Sequence, residues 1–427
     1  MNHPKTMNPD TTPTLGTFTE ASRSTPVVNQ LDVLICGGGP AGVAAAIAAA
    51  REGASTTLIE VNGCLGGVWT AGALSWIIDH ENKVGVMKEI LNRLEAGGFR
   101  ARLSDGTWTN GYDPEGMKSV LEEMCMEAGI RIRLHTRVVA AGVDETKRLT
   151  HVITESKSGR QAWSATMFVD ATGDGDLAAA AGCGFDMGRD EDGQTQPMSL
   201  MALLTGLDAA QVRGFISDEG LPWGVSLEAL RREINRAGVE PSYSKPTLFR
   251  IHDNLFTLMA NHQYLVKGTN ADDVSRATLE ARAEVRRIVD GLRKLGGCWS
   301  NLRLVSTGAQ IGVREGRRIH GRYTVSADDL RNGARHEDAV TEVTFCVDIH
   351  SVDPKKDKGL HNGGIKTKPY QIPLRALIAR DVDGLLLAGR CISGDFFAHA
   401  SYRVTGNAVA TGEAAGRHAA KAAVSLK

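Results

Sequence analysis

Three glycines and one acid carry the most specific chemistry in the chain. Gly37, Gly39 and Gly42 stand in Gly-x-Gly-x-x-Gly spacing within Asp32-Val-Leu-Ile-Cys-Gly-Gly-Gly-Pro-Ala-Gly42, and Glu60 follows 18 residues later. Such a set binds a dinucleotide. The first glycine makes a tight turn, the second lets the backbone approach a pyrophosphate, and the third lets helix and strand pack closely. The carboxylate then accepts hydrogen bonds from a ribose diol.

The elements that must position these groups are legible around them. Residues 33–35 read as a buried strand, Pro40 as a first helical residue, and 43–51 as an Ala-rich helix stopped by Gly53. Residues 56–59 form the next strand, ending at Glu60, and the helix N-terminus faces the phosphates. A second glycine cluster, Gly63-Cys-Leu-Gly-Gly-Val-Trp-Thr-Ala-Gly72, follows at once. Asp113 caps a further helix with Pro114 at its first position and Gly129 at its end. Its Met117, Val120, Leu121, Met124, Cys125 and Ala128 share one face, a core stripe. Residues 130–143, 149–155 and 161–170 read as three antiparallel strands, and the third runs into Ala171-Thr-Gly-Asp-Gly-Asp-Leu177. A meander that returns to the nucleotide site by an Ala-Thr-Gly turn points to a flavin dinucleotide. Near the C-terminus, Gly384-Leu-Leu-Leu-Ala-Gly389 is a short buried strand. It leads to a helix crowded with Gly406, Ala408, Ala410, Gly412, Ala414, Ala415 and Gly416, small enough to sit close to a flat cofactor.

Composition narrows the class. The 427 residues carry 49 Lys plus Arg against 50 Asp plus Glu, so no charge excess draws the chain to nucleic acid or anionic lipid. Seven cysteines (Cys36, Cys64, Cys125, Cys183, Cys298, Cys346 and Cys391) are dispersed, without metal-type spacing, which predicts reduced thiols, no metal site and a cytoplasmic setting. No apolar run reaches spanning length, and the N-terminus lacks the pattern of a secretion signal. Residues 1–29, rich in Thr, Pro and Asn, predict a mobile arm. Residues 30–190 and 305–427 carry the nucleotide signals, and 191–304 form a substrate or cap region. There, 248–252 and 255–260 suggest a hairpin around Asp253-Asn254, and 274–295 a charged amphipathic helix capped by Asp273. With segment 73–112, this insertion is expected to cover the substrate face of the cofactor.

In these motifs the chain resembles FAD-dependent oxidoreductases that share a glutathione-reductase-like FAD domain. The resemblance covers roughly residues 31–200 and 270–420. It rests on GGGPAG, Leu65-Gly-Gly-Val-Trp-Thr, DPEGMKSVLEEM, VDATGDGDLAAAAG, Gly312-Val-Arg-Glu-Gly-Arg-Arg-Ile-His-Gly321, Val347-Asp-Ile-His350 and LLLAGRCISGDFFAHASYRVTGNAVATGEAAG. The last motif departs from the family, which often has Met-Pro-Thr-Cys where this chain has Thr405-Gly406-Asn407-Ala408. The resemblance implies an α/β fold: a Rossmann-type parallel sheet with a β-meander binding non-covalent FAD, plus an inserted α+β substrate region. The expected cofactor residues are Gly37, Gly39, Pro40, Ala41, Gly42, Glu60, Gly66, Gly67, Trp69, Val138, Thr172, Gly173, Asp174, Gly389, Asp395, Gly406 and Asn407. Asp395 would hold the ribityl chain.

Flavin chemistry needs a substrate bond aimed at the cofactor and often a base for the second proton. His399, Tyr402 and Arg403 lie in the segment expected to approach the flavin, and His350 comes from another segment that could converge on it. Arg403 suits an anionic substrate or flavin negative charge. His80, His252, Arg314, Arg317 and Arg318 are weaker candidates. The chain has no second Gly-x-Gly-x-x-Gly unit and no Cys-x4-Cys partner for Cys64, which argues against a thiol–disulphide reductase. The leading expectation is a dehydrogenase or oxidase. It would take a hydride from a C–OH or C–N group of a small organic substrate and pass electrons to oxygen, a quinone or a carrier protein. A reductase or monooxygenase reduced by NAD(P)H is the alternative, and a non-catalytic FAD-binding subunit the second alternative. A homodimer is the expected assembly.

Overall fold

The computed structural model describes residues 16–103, 106–217, 221–222, 224–252 and 254–425. Residues 1–15 of the expected arm, and Asp253 in the expected hairpin turn, lie outside the described residues. Strand β1 (Val27–Cys36) starts early enough to take in residues 27–29, so the end of the expected arm is sheet.

The central sheet is parallel. β1 is flanked by β2 (Thr56–Ile59) and by a long β6 (Gly159–Asp170), both parallel to it. Val33, Leu34, Ile35 and Cys36 are fully buried, as expected of a strand covered on both faces. Helix α1 (Pro40–Arg51) crosses from β1 to β2. A second crossover includes α2 (Val86–Ala96) and α3 (Pro114–Glu127), the latter capped by the Asp113 carboxylate. The chain then departs from expectation. Residues 130–143 are not one meander strand but two elements: β3 (Arg131–Arg133), a parallel partner of β2, and β4 (Arg137–Val143). The break falls at His135, whose φ of +52° no extended strand allows. Thr136 N–H is tied to Glu60 O at 2.9 Å, which turns the chain past the nucleotide site. β4, β5 (Leu149–Ser156) and the first half of β6 form the antiparallel meander.

Beyond the short α4 (Asp176–Ala180), the inserted region builds a second sheet. Its strands are β7 (Ala202–Thr205), β8 (Thr247–His252), β9 (Leu255–Met259) and β10 (Arg303–Thr307), antiparallel in the order β10-β7-β9-β8. Leu248, Phe256 and Leu258 pack beneath α5 (Val225–Arg236) and α6 (Ala271–Leu295). Phe249 and Met259 point to the opposite face, by the alternation of a strand. α6 begins three residues earlier than predicted. Asn270 caps it, accepting from Asp272 and Asp273 N–H, while Asp273 accepts from Lys267 N–H.

The chain returns to the first sheet with β11 (Leu385–Leu387), parallel to the end of β6. Then come α7 (Phe396–Tyr402) and α8 (Thr405–Ser425). The small residues of α8 serve a different neighbour from the one expected. A Cβ at Gly412 would lie 2.0 Å from Ala41 O, and one at Gly416 2.0 Å from Ala45 O, so these glycines bring α8 onto the backbone of α1. Among the described residues, no helix is long and apolar enough to cross a membrane.

Candidate active site

The C-terminal ends of β1, β2, β6 and β11 open onto a groove, where an open α/β sheet places its ligand. Gly37 takes φ +99°, and a Cβ there would stand 2.3 Å from Ala171 O, pressing β1 against the β6 turn. Gly39, in contrast, has no protein atom within 4 Å of where its Cβ would be. That opening lies at the N-terminus of α1, whose first N–H groups carry no side-chain cap and favour an anion. Glu60 is buried in the groove wall. Its Oε2 accepts from Gly38 N–H at 2.6 Å, and its Oε1 from the Asn62 backbone and side chain at 2.7 and 2.8 Å.

The groove runs past Val138, Thr172 and Gly173 on one side and Gly67, Gly389 and Arg390 on the other. Asp170, fully buried, fixes the Thr172 turn by accepting from Thr172 N–H and Oγ1–H and from Ala178 N–H. Burial nevertheless raises its carboxyl to about 6. The groove ends at Thr405 and Ala408 on the first turns of α8. There the Thr405 hydroxyl has no partner among the described residues; the amide of fully buried Asn407 also has none but sits behind the groove wall. A desolvated hydroxyl of this kind needs a ligand edge or water to complete it. A cradle for pyrophosphate, a ribose acid and an unpartnered hydroxyl at the far end fit FAD.

A larger cavity of about 640 Å³ adjoins the groove, sharing Val68, Gly312, Val313, Arg390, Arg403 and Thr405 with it. Its apolar wall comes from the second sheet and segment 74–78, with Trp76 lying 4.4 Å from Phe249 between ring centres. Its polar wall gathers residues far apart in sequence. Arg403 Nη2 donates to Asp348 O at 2.9 Å and meets Asp348 Oδ2 at 3.2 Å. His350 Nε2 faces the same Oδ2 at 3.2 Å, and His350 Nδ1 faces His262 Nε2 at 3.0 Å. His262 Nδ1 in turn meets Tyr264 Oη at 3.2 Å, and Tyr243 stacks on the His262 ring. Burial, then the charge of Arg314, pushes His350 down to about 4 against the pull of Asp348, so the imidazole is neutral at pH 7. Burial works to raise the Asp348 carboxyl, but His350 and Arg403 outweigh it and hold the group well below the usual range.

Gly37, Gly39, Pro40, Ala41, Glu60, Gly67, Val138, Thr172, Gly173 and Gly389 therefore line the groove, and His350 and Arg403 meet in the cavity. Other expected residues sit behind these surfaces. Gly42 packs on Gly37 O, and Gly66 N–H donates to Gly38 O at 2.7 Å. Trp69 is core, edge-on to Tyr112. Asp174 grips Arg390 at 2.5 Å rather than the groove. Asp395, expected at the ribityl chain, does not line the groove; it caps α7 through Ala398 N–H and accepts from Ala327 N–H. Gly406 lies against Asp79 O. His399 is sealed in and lines neither space, with the Arg390 backbone as the polar neighbour of its ring. Burial and the nearby arginines Arg318, Arg403 and Arg390 depress it far below the ordinary histidine value. Tyr402 is likewise enclosed, its hydroxyl donating to Ile392 O. Both are corrections, and the cause is that α7 turns its 399–402 face into the core. His80 bonds Asn110, His252 faces Asp113, Arg317 pairs with Asp176 and Arg318 with Glu315. Sequence reasoning missed Arg390, Gln310 and Thr405 in the groove, and His262 and Tyr243 at the cavity.

Groove, meander and cavity together define a flavin-dinucleotide-binding oxidoreductase fold. The chain belongs to the FAD dependent oxidoreductase family, whose model matches residues 32–426. It is an FAD-dependent oxidoreductase, with FAD as its cofactor. Similar solved structures include a geranylgeranyl bacteriochlorophyll reductase-like protein from Thermoplasma acidophilum (15% identity, TM-score 0.44, covering 93% of this chain and 79% of that one). A flavin-dependent brominase is similar at 14% identity and TM-score 0.46, over 93% of this chain and 79% of that one. The p-nitrophenol 4-monooxygenase PnpA of Pseudomonas putida is similar at 11% identity and TM-score 0.47, over 93% and 81%.

Proposed function

We propose that the protein is a dehydrogenase or oxidase that takes a hydride from a C–OH or C–N group of a small organic substrate bound in the 640 Å³ cavity. The observation that carries this reading is the Asp348–His350 pair in the cavity wall, beside the Arg403 that also borders the groove. Bound FAD supplies the two-electron acceptor. The apolar wall of Trp76, Phe249 and Met259 excludes water and orients the substrate body. The Asp348 carboxylate, through the Oδ1 that neither His350 nor Arg403 holds, takes the hydroxyl or amine proton as the hydride leaves, and His350, engaged on both ring nitrogens, keeps that carboxylate in place. Arg403 holds Asp348 in place and offers positive charge to the flavin end of the groove. The reading includes non-covalent FAD, a glutathione-reductase-like FAD domain over residues 30–190 and 305–427, and a cap over 191–304. It also includes a cytoplasmic homodimer, with oxygen, a quinone or a carrier protein as acceptor. The test is anaerobic: NADH or NADPH should leave the flavin band of the holoenzyme unbleached, while alcohols or amines that fit the cavity should bleach it. Bleaching by the nicotinamides would move the assignment to a reductase or monooxygenase.

A further inference from the structure

One cation in the cavity wall has no ion pair of its own, and the carboxylate whose field reaches it, Asp348, is already held by Arg403. Arg314 lines the cavity but not the groove. Its Nη1 donates to Pro197 O at 2.7 Å and Ser199 Oγ at 2.8 Å, and its Nη2 meets Met259 Sδ at 3.6 Å. Among the described residues, no carboxylate lies within ion-pair distance of it. The other arginines of the wall are matched, Arg403 by Asp348 and Arg390 by Asp174. Arg314 is therefore one positive charge in excess, in a largely apolar enclosure where an uncompensated charge is costly. Burial, then repulsion from Arg403, lowers its guanidinium to about 10, which still leaves it charged at neutral pH.

We propose that Arg314 is the anchor for a carboxylate on the substrate, so that the substrate class is a monocarboxylic acid with an apolar, ring-sized body. This rests on the cavity being the substrate site, as in the reading above. With Nη1 committed to protein oxygens, the edge left is that of Nε and Nη2, the side-on fork whose two parallel N–H groups match a carboxylate. A single excess charge suits a monoanion. The body of the acid then lies along Trp76 and Phe249, which pack on each other as an aromatic surface of the same cavity. Because Arg314 does not border the groove, its charge is not used up by the cofactor phosphates.

The test is binding to the FAD-loaded protein, read as perturbation of the flavin absorption band. Benzoate, phenylacetate and naphthoate are each titrated against the corresponding amide. The wild type should bind at least one acid about 10- to 100-fold more tightly than its amide, the range for a charge-assisted pair. Arg314→Gln should abolish that preference while retaining FAD, and Arg314→Lys should restore part of it, because the charge returns without the fork. Phe249→Ala should weaken acid and amide alike. Equal binding of acids and amides, no binding by any acid, or a preference that survives in Arg314→Gln would overturn the assignment. Mandelate and phenylglycine, which add the C–OH or C–N hydride donor to the same body, are then tried as reductants: if they bind with this pattern yet never reduce the flavin, the carboxylate site stands and the dehydrogenase reading falls.

Discussion

His350 holds its two ring nitrogens between Asp348 and His262, and a proton added there has a wire of hydrogen bonds to share it. Its depressed value makes it a source of acid sensitivity. Between about pH 6.5 and 4 the unfolded chain binds this proton and the folded one does not, so the contribution to stability falls as pH falls. Taking wild type from about pH 7 to 4.5 should cost about 2 kcal/mol more than taking His350→Gln over the same range. Paired urea midpoints measure this, and parallel losses in the two proteins would contradict it. Glu60 carries a second prediction. From the groove wall its oxygens hold Gly38 and Asn62, and with the proposed ribose contact added Glu60→Ala should raise the FAD dissociation constant at least ~10-fold. Fluorescence of released flavin reports it, and unchanged retention would reject the ribose role. At this scale the sequence was legible where a residue's type and spacing suffice, as at Gly37 and Glu60. It did not foresee that His399 and Asp395 line neither space, because whether a side chain of this segment faces a ligand or the core depends on how α7 is rotated, and no local pattern encodes that.

Among elements, the contact of α8 on α1 is the one that links packing to the cofactor. Ala41 lines the groove on one side and receives Gly412 on the other. Gly412→Val should therefore destabilise the fold by at least about 1–3 kcal/mol through overpacking. It should also loosen FAD by displacing the N-terminus of α1. A melting curve and an FAD titration test both parts; a variant with lowered melting temperature and intact FAD affinity would separate the helix contact from the cradle. β1, α1 and β2 were legible because a buried apolar run, a proline start and glycine stops each signal a boundary. The split between β3 and β4 was not, since no Gly or Pro separates Leu134 from Val138 and His135 turns only through tertiary hydrogen bonds with the Glu60 loop. The cap of α6 was misplaced from Asn270 to Asp273 because two good capping residues lie three apart and only the fold chooses between them.

In the whole molecule, the dinucleotide groove was far easier to read than the cavity beside it. The groove is assembled largely from turns that follow strand ends in one repeating pattern. The cavity takes Trp76, Ser199, Phe249, Arg314, Asp348 and Arg403 from separate stretches, brought together when the second sheet closes over the first. The same closure leaves the Thr405 hydroxyl and the Nε of Arg390 and Arg403 desolvated and, among the described residues, unpaired in the wall of the groove. Without FAD those atoms remain a charge against stability, and with it they are relieved, so occupancy and folding are linked. Stripping the cofactor should lower the melting temperature, by an amount that grows with the FAD concentration of the reference sample. In a cell, such coupling ties the standing level of this protein to riboflavin supply. Vitamin shortage would thin it out through proteolysis of the loosened apoprotein, before any change in its gene's expression.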